Sequence, residues 1–250
     1  MQQEVIIVGG GMVGLSLALM LAKQNIAVKL LEAIKYPNYD DVNLAPYHSS
    51  FDARNSALSR RTVQIYQELG LWSALQEHAT PIFEVNITEQ GSFGKARLKA
   101  EQEKVESFGQ VIENAWLGRV LLTEVQKQPF IELIDGVQVT QLTQDADMAY
   151  IKASRGEEQL SLQAKLVIAA DGRDSFCRKA LGIGASEHDY DQVAIVTTVQ
   201  TSKPHNHVGF ERFSSLGPLA LLPRPGEYRR SVDWPVKKGT EGEWLGDEND

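Results

Sequence analysis

Eleven residues near the amino terminus, Glu4-Val5-Ile6-Ile7-Val8-Gly9-Gly10-Gly11-Met12-Val13-Gly14, constrain the fold more than any other stretch. Val5 to Val8 is an uninterrupted apolar run of strand length, rich in β-branched residues. Such a run suits a parallel strand covered on both faces. Gly9, Gly11 and Gly14 then fit G-x-G-x-x-G. The first glycine permits a tight turn, the second admits a pyrophosphate close to the backbone, and the third lets the next helix pack closely on the strand. Residues from Val13 to about Gln24 follow at helical length, and the free N–H groups at that helix start attract an anion.

A second strand, Ala27 to Glu32, ends in an acid. Glu32 lies eighteen residues past Gly14, where a dinucleotide-binding unit places the carboxylate that accepts ribose hydroxyls. The competing reading is a glycine-rich turn of some other α/β protein, with Glu32 an ordinary surface acid. Strand, glycines, helix, strand and terminal acid within one short unit favour the nucleotide. The motif alone does not separate NAD from FAD. Val5 to Ala22 is also uncharged for eighteen residues, the length of a membrane span. Closely spaced glycines interrupt it and no basic segment precedes it, so a nucleotide-binding strand and helix explain it better. The cytoplasm is therefore the expected location.

The 250 residues suffice for one large or two smaller domains. A net charge of −8 argues against a nucleic-acid partner, which needs a basic surface. It also gives no reason to expect broad adhesion to anionic lipid. The single cysteine, Cys177, excludes an intrachain disulfide and suits a reducing compartment. It reads as a small buried hydrophobe rather than a reactive thiol.

Along the chain, Ala33 to Asp52 reads as a long loop marked by Pro37, Asn38, Asp40, Asp41, Asn43 and Pro46. Asn55 to Leu75 reads as helix, with Arg54, Arg60 and Arg61 clustered at its start. Ile82 to Ile87 and Ala96 to Leu98 read as a strand and its return across the turn Gln90 to Gly94. Asn114 to Gln128 reads as helix. Ile131 to Leu142, Met148 to Ala153 and Leu160 to Leu162 read as strands, with Asp135-Gly136 and Ser154-Arg155-Gly156 as turns. Leu166 to Ala170 reads as a further buried strand, followed by a short helix from Ser175 to Leu181. Four antiparallel strands follow, at Val193 to Gln200, Val208 to Phe213, Leu219 to Leu222 and Tyr228 to Trp234. This order implies two interleaved domains of an α/β protein, one Rossmann-like and one an antiparallel sheet.

Three motifs now stand together: the glycines with Glu32, Phe51-Asp52-Ala53-Arg54-Asn55-Ser56-Ala57-Leu58-Ser59, and Ala170-Asp171-Gly172-x-x-Ser175-x-x-Arg178 followed by Leu181-Gly182-Ile183. The combination resembles the FAD-dependent aromatic hydroxylases, the single-component flavin monooxygenases. Val111-Ile112-Glu113-Asn114 and the run from Glu211 to Pro223 look like those of the ubiquinone-biosynthesis hydroxylases, in particular those acting on polyprenyl-methoxyphenols. The resemblance covers essentially the whole chain. It implies a Rossmann-like FAD-binding domain over residues 1–78 and 106–186, interleaved with an incomplete antiparallel-sheet substrate domain over 79–105 and 187–250. It implies FAD as cofactor, NAD(P)H as reductant, and O2 and a polyprenylated phenol as substrates. Other ubiquinone-biosynthesis proteins, or the surface of the inner membrane, are the associates it brings to mind.

Carried over by position, Gly9, Gly11 and Gly14 meet the pyrophosphate and Glu32 the adenosine ribose. Arg54 lies near the flavin, its plain alternative being a surface arginine. Asn114 touches FAD or merely caps a helix. Val139 approaches the adenine through its backbone. Asp171, Gly172 and Arg178 serve both FAD and NAD(P)H, or form a structural turn with a salt bridge. Phe213, Leu219 and Leu221 line a substrate pocket or belong to the core. Asp233 and Arg224 stand where the family is more apolar. No catalytic acid or base follows, because the FAD carries the hard chemistry. His48, His78, His188, His205 and His207 are scattered, and no metal site is read. Gly246-Asp247 is followed by Glu248-Asn249-Asp250 and not by the rest of the family's second motif, Gly-Asp-Ala-Ala-His. The expectation is a chain that stops inside the substrate domain, and that by itself neither holds FAD tightly nor hydroxylates. The rival functions are a flavin-dependent dehydrogenase or reductase, and a catalytically silent FAD-binding or interaction module.

Overall fold

The computed structural model describes residues 5–36 and 52–245. The chain opens with β1 (Val5–Val8), α1 (Met12–Lys23) and β2 (Val28–Leu31). Next come β3 (Asn55–Ser59), α2 (Arg60–Glu68), the short α3 (Trp72–Leu75), a single 3-10 turn, and β4 (Ala79–Pro81). β5 (Glu84–Glu89), β6 (Lys95–Lys99), β7 (Gly109–Glu113) and α4 (Asn114–Lys127) follow. Then come β8 (Ile131–Ile134), β9 (Gln138–Gln144), β10 (Ala149–Arg155), β11 (Glu158–Ala164), β12 (Leu166–Ala169) and α5 (Phe176–Ala180). The chain continues through β13 (Gln192–Gln200), β14 (Val208–Ser214), β15 (Gly217–Pro223), β16 (Arg229–Lys237) and α6 (Gly242–Leu245).

Contacts divide these elements into two units, Met1–Ala53 with Asn114–Ser186, and Arg54–Glu113 with Glu187–Asp250. The first unit holds a parallel sheet in the order β12-β1-β2-β8. β1 is buried along its whole length, which is why its sequence is apolar without alternation. Helix α1 packs on this sheet and on α4 through Leu15, Ala18, Leu19 and Ala22. Leu117, Leu121, Leu122 and Val125 form the buried stripe of α4 at helical spacing. An antiparallel meander, β11-β10-β9, completes the unit. Its buried residues Ile151, Ala153, Val139 and Leu142 join Ile6, Val8 and Leu31 in one apolar cluster, with Cys177 among them. Cys177 is thus the buried hydrophobe its sequence context suggested.

The second unit is built on a six-stranded sheet ordered β13-β16-β15-β14-β5-β6, antiparallel except where β14 meets β5. A small sheet, β3-β7-β4, accompanies it. The segments 54–78 and 106–113, grouped by the sequence with the nucleotide domain, make their contacts in this unit. The reason is that β3 and β4 pair with β7.

Four local expectations change. Asn55–Ser59 is a strand rather than the start of a helix, because it pairs with Gly109–Glu113. Ser59 then ends it by capping α2, its hydroxyl accepting from the Thr62 N–H at 3.2 Å. The run Ile131 to Leu142 breaks at Asp135-Gly136 into β8 and β9, which belong to different sheets. β12 is an edge strand rather than a buried one, and Leu166 is 52% exposed. Finally, Arg212 pairs with Leu219 and Phe213 with Pro218. Directly opposed residues share a face and neighbours alternate, so Phe213 lies on the opposite face from Leu219 and Leu221. The three cannot line one pocket. Residues 37–51, which include most of the expected loop, His48 and Phe51 of the second motif, lie outside the described residues, as does Gly246-Asp247.

Candidate functional site

Three parallel strands end side by side, β1 at Val8, β2 at Leu31 and β12 at Ala169. Backbone bonds tie the chain just beyond them. The Gly9 N–H donates to the Leu31 carbonyl at 2.8 Å, and the Ala170 N–H to the Val8 carbonyl at 2.7 Å. The Glu32 N–H donates to the Ile134 carbonyl, and the Glu32 carbonyl accepts from the Val137 N–H, both at 2.9 Å. A cleft of about 390 Å³ opens at this point. Crevices beyond the carboxyl ends of parallel strands are where open α/β sheets bind ligands, and the volume falls in the range of small-molecule sites.

Gly9 adopts φ +108°, and a Cβ there would run into the Ala170 carbonyl. Only glycine meets both conditions. A Cβ on Gly14 would strike the Gly9 carbonyl, so the third glycine of the motif lets the first turn of α1 sit on the loop. Gly11 is the N-cap of α1 and its helix start has no side-chain cap. The first-turn N–H groups are therefore served by no capping side chain, the condition under which a helix start holds an anion.

Glu32 is buried at the cleft wall. Its Oε2 accepts from the Gly10 N–H at 2.5 Å and its Oε1 from the Ile34 N–H at 2.8 Å. These two bonds orient the carboxylate at the cleft wall. Asp171 stands on the opposite side of the same cleft. Its Oδ2 accepts from the Cys177 N–H at 3.0 Å, and the Ser175 hydroxyl accepts from the Arg178 N–H at 2.9 Å. Burial pushes the Asp171 pKa up, but hydrogen bonds from the Cys177 N–H and from Ser175 together outweigh it. The carboxyl is held below its ordinary range. Burial, then the negative Asp171, pushes the Cys177 thiol up to about 12, which leaves it without nucleophilic character at neutral pH.

The cleft thus brings together Gly9, Gly11, Glu32, Val139, Asp171 and Gly172 out of the residues singled out in the sequence. The Val139 side chain itself belongs to the apolar cluster. Gly14 lies one turn behind. Asn114 is buried as the first residue of α4, and Arg178 is half-buried on α5; neither is among the lining residues. Arg54 is exposed at the start of the second unit. Sequence reading missed Val137, Gln138, Asp174 and Phe176, which also line the cleft. The alternation Val137-x-Val139 was an available signal for the first, whereas an aromatic beside a helix cap gives none for Phe176. Among the described residues no group of three or more His, Cys, Asp or Glu side chains is placed to hold a metal ion. No helix among them is long and apolar enough to cross a membrane.

Known proteins resemble this chain in sequence and in fold. The family described as FAD binding domain matches residues 2–245. Ubiquinone hydroxylase UbiL of Rhodospirillum rubrum is 32% identical over 92% of this chain and 51% of its own length. The 3-demethoxyubiquinol 3-hydroxylase of Escherichia coli is 31% identical over 88% of this chain and 54% of its own. The chain spans about half the length of these curated relatives. In fold it resembles p-nitrophenol 4-monooxygenase PnpA of Pseudomonas putida, with a TM-score of 0.76 at 19% identity, over 95% of this chain and 58% of that one.

Proposed function

This chain belongs to the FAD-binding-domain family, and from that premise we propose that its parent protein is a flavin monooxygenase of ubiquinone biosynthesis. The observation that carries the reading is the cleft at the strand ends, where the glycine turn, Glu32 and Asp171 converge. The residues fit FAD. The uncapped start of α1 and the Gly9–Gly11 turn suit the pyrophosphate, and the oriented Glu32 carboxylate suits the ribose hydroxyls. Gly14 supports the turn. Val139 offers its peptide to the adenine, and Asp171 and Gly172 close the wall across from Glu32. Arg54, Asn114 and Arg178 complete the set by their motif positions, the last with a part in receiving NAD(P)H.

When bound, FAD would supply the redox chemistry, with NAD(P)H as the reductant and O2 as the oxidant. One oxygen atom enters the ring of a polyprenylated phenol as a hydroxyl and the other leaves as water. The chain's own residues hold the nucleotide half in place. The match to two ubiquinone-pathway hydroxylases supports the substrate class. Association with other proteins of that pathway, or with the membrane surface where such a lipid resides, is part of the same proposal.

The test uses the full-length gene product. FAD is titrated in, and oxygen uptake is followed with NADH or NADPH and a short-chain prenylated phenol. Phenol-dependent uptake with a hydroxylated product is the expected result. Flavin reduction without oxygen incorporation would make the protein a reductase instead, and no FAD binding would make it neither.

A further inference from the structure

Behind the cleft wall, Tyr36 makes a contact that no part of the nucleotide motif predicts. It is 6% exposed, and its hydroxyl donates to the Gly10 carbonyl at 2.5 Å. Its own N–H donates to Asp135 Oδ2 at 2.8 Å, which anchors it to the turn between β8 and β9. On the other side of the same residue, the Gly10 N–H donates to Glu32 at 2.5 Å. The N–H and the carbonyl of Gly10 are therefore held at once, one by Glu32 and the other by Tyr36. A Cβ on Gly10 would strike the Tyr36 hydroxyl, so the middle glycine of Gly9-Gly10-Gly11 is demanded by a side chain twenty-six residues away.

We infer that Tyr36 is a positioning residue for the adenosine half of FAD, acting through Gly10 on the pyrophosphate turn and on the Glu32 carboxylate. The inference rests on the cofactor reading above. The physical argument is preorganisation. A turn and a carboxylate already fixed in their binding geometry lose little freedom when the ligand arrives. Glu32 cannot drift from the ribose position while it grips an N–H that Tyr36 holds still. Tyr36 itself touches no ligand, because it lies outside the cleft lining.

The experiment compares the full-length wild type with Tyr36→Phe, Glu32→Ala and the double variant. FAD affinity is read by flavin fluorescence and folding by circular dichroism. Tyr36→Phe keeps the ring and loses one neutral hydrogen bond, so FAD should bind roughly two- to tenfold more weakly. In the Glu32→Ala background most of that loss should vanish, since the group being positioned is gone; a merely structural tyrosine gives additive effects instead. Amide exchange in the FAD-free protein gives a second readout. Gly10 and Gly11 should exchange faster in Tyr36→Phe while the amides of α4 do not change. Wild-type affinity in Tyr36→Phe, additivity in the cycle, or unchanged exchange at the turn would each overturn the inference while leaving the cofactor reading intact. A wild type that takes up no FAD overturns the cofactor reading, and this inference with it.

Discussion

At the scale of single residues, Glu32 carries the sharpest expectation. Its carboxylate is aimed by two backbone N–H groups at the cleft wall. A charge-assisted bond to a ribose hydroxyl is worth roughly 1.5–3 kcal/mol. Glu32→Ala should therefore lower FAD affinity by about tenfold or more, and an unchanged titration would remove the ribose role. A pH effect belongs to this scale too. His205 is buried, its Nδ1 accepts from the His207 N–H at 3.0 Å, and its Nε2 faces the Arg224 carbonyl at 3.1 Å. Burial, then the charges of His207 and Arg230, lowers its pKa, against the pull of hydrogen bonds to Arg224 and Gly226. The folded state thus prefers the neutral ring. Its stabilising effect is complete above the unfolded value of about 6.5 and is lost as pH falls from there through the depressed folded value. The melting temperature should decline with acid in this window, and less steeply in His205→Gln; parallel profiles would count against it. Glu32 and Gly9 were legible in the sequence because one short unit fixes their spacing. Tyr36 was not, because its partner lies across the fold and nothing local marks a tyrosine in a loop as a clamp.

At the scale of elements, legibility followed the strength of the local pattern. β1 announced itself by an unbroken apolar run, α1 by its length after the glycine turn, and α4 by an apolar stripe at helical spacing. β3 did not. Asn55 to Ser59 has no alternation of strand type, and its apolar residues run on into the helical face of α2. Only pairing with β7 makes it a strand, an instance of tertiary context overriding local preference. The boundary is set by Ser59, whose hydroxyl caps the Thr62 N–H. Ser59→Ala should destabilise the protein by about 0.5–2 kcal/mol, measured by chemical denaturation. Full stability in that variant would mean that β3 and β7, not the cap, place the start of α2. The split of Ile131 to Leu142 has a similar origin. A run rich in β-branched and apolar residues reads the same whether one strand continues or two strands turn between different sheets, and only Asp135-Gly136 hinted at the turn.

At the scale of the whole molecule, interleaving was legible from the order of elements, but the boundaries were not. A β-strand that leaves one unit looks in sequence like one that stays. The chain passes between units at Ala53-Arg54, at Glu113-Asn114 and at Ser186-Glu187. The second passage has a side-chain anchor. Glu113 ends β7, and its Oε2 accepts from Arg224 Nη2 at 2.7 Å. Arg224 follows β15 and also donates to the Thr198 hydroxyl on β13. The small sheet and the large sheet of the second unit are thereby joined by one guanidinium. The two partners are unequal, because the Arg224 side chain is 8% exposed and that of Glu113 is 39% exposed. Arg224 Nε is buried without a hydrogen-bond partner, so the arginine is already imperfectly satisfied. Removing one partner of a pair costs most when it strands a buried charge. Glu113→Gln strands the arginine and should cost about 1.5–3 kcal/mol, the scale of a hydrogen bond to a charged group. Arg224→Met removes the buried charge, fills similar volume with apolar atoms and leaves Glu113 within reach of water, so it should cost less. Denaturation of both variants under one condition decides the order. A larger loss in Arg224→Met would show that the guanidinium's bridge to Thr198 and Glu113 outweighs the penalty of burying it, and that this anchor contributes net stability rather than only fixing where the chain changes units.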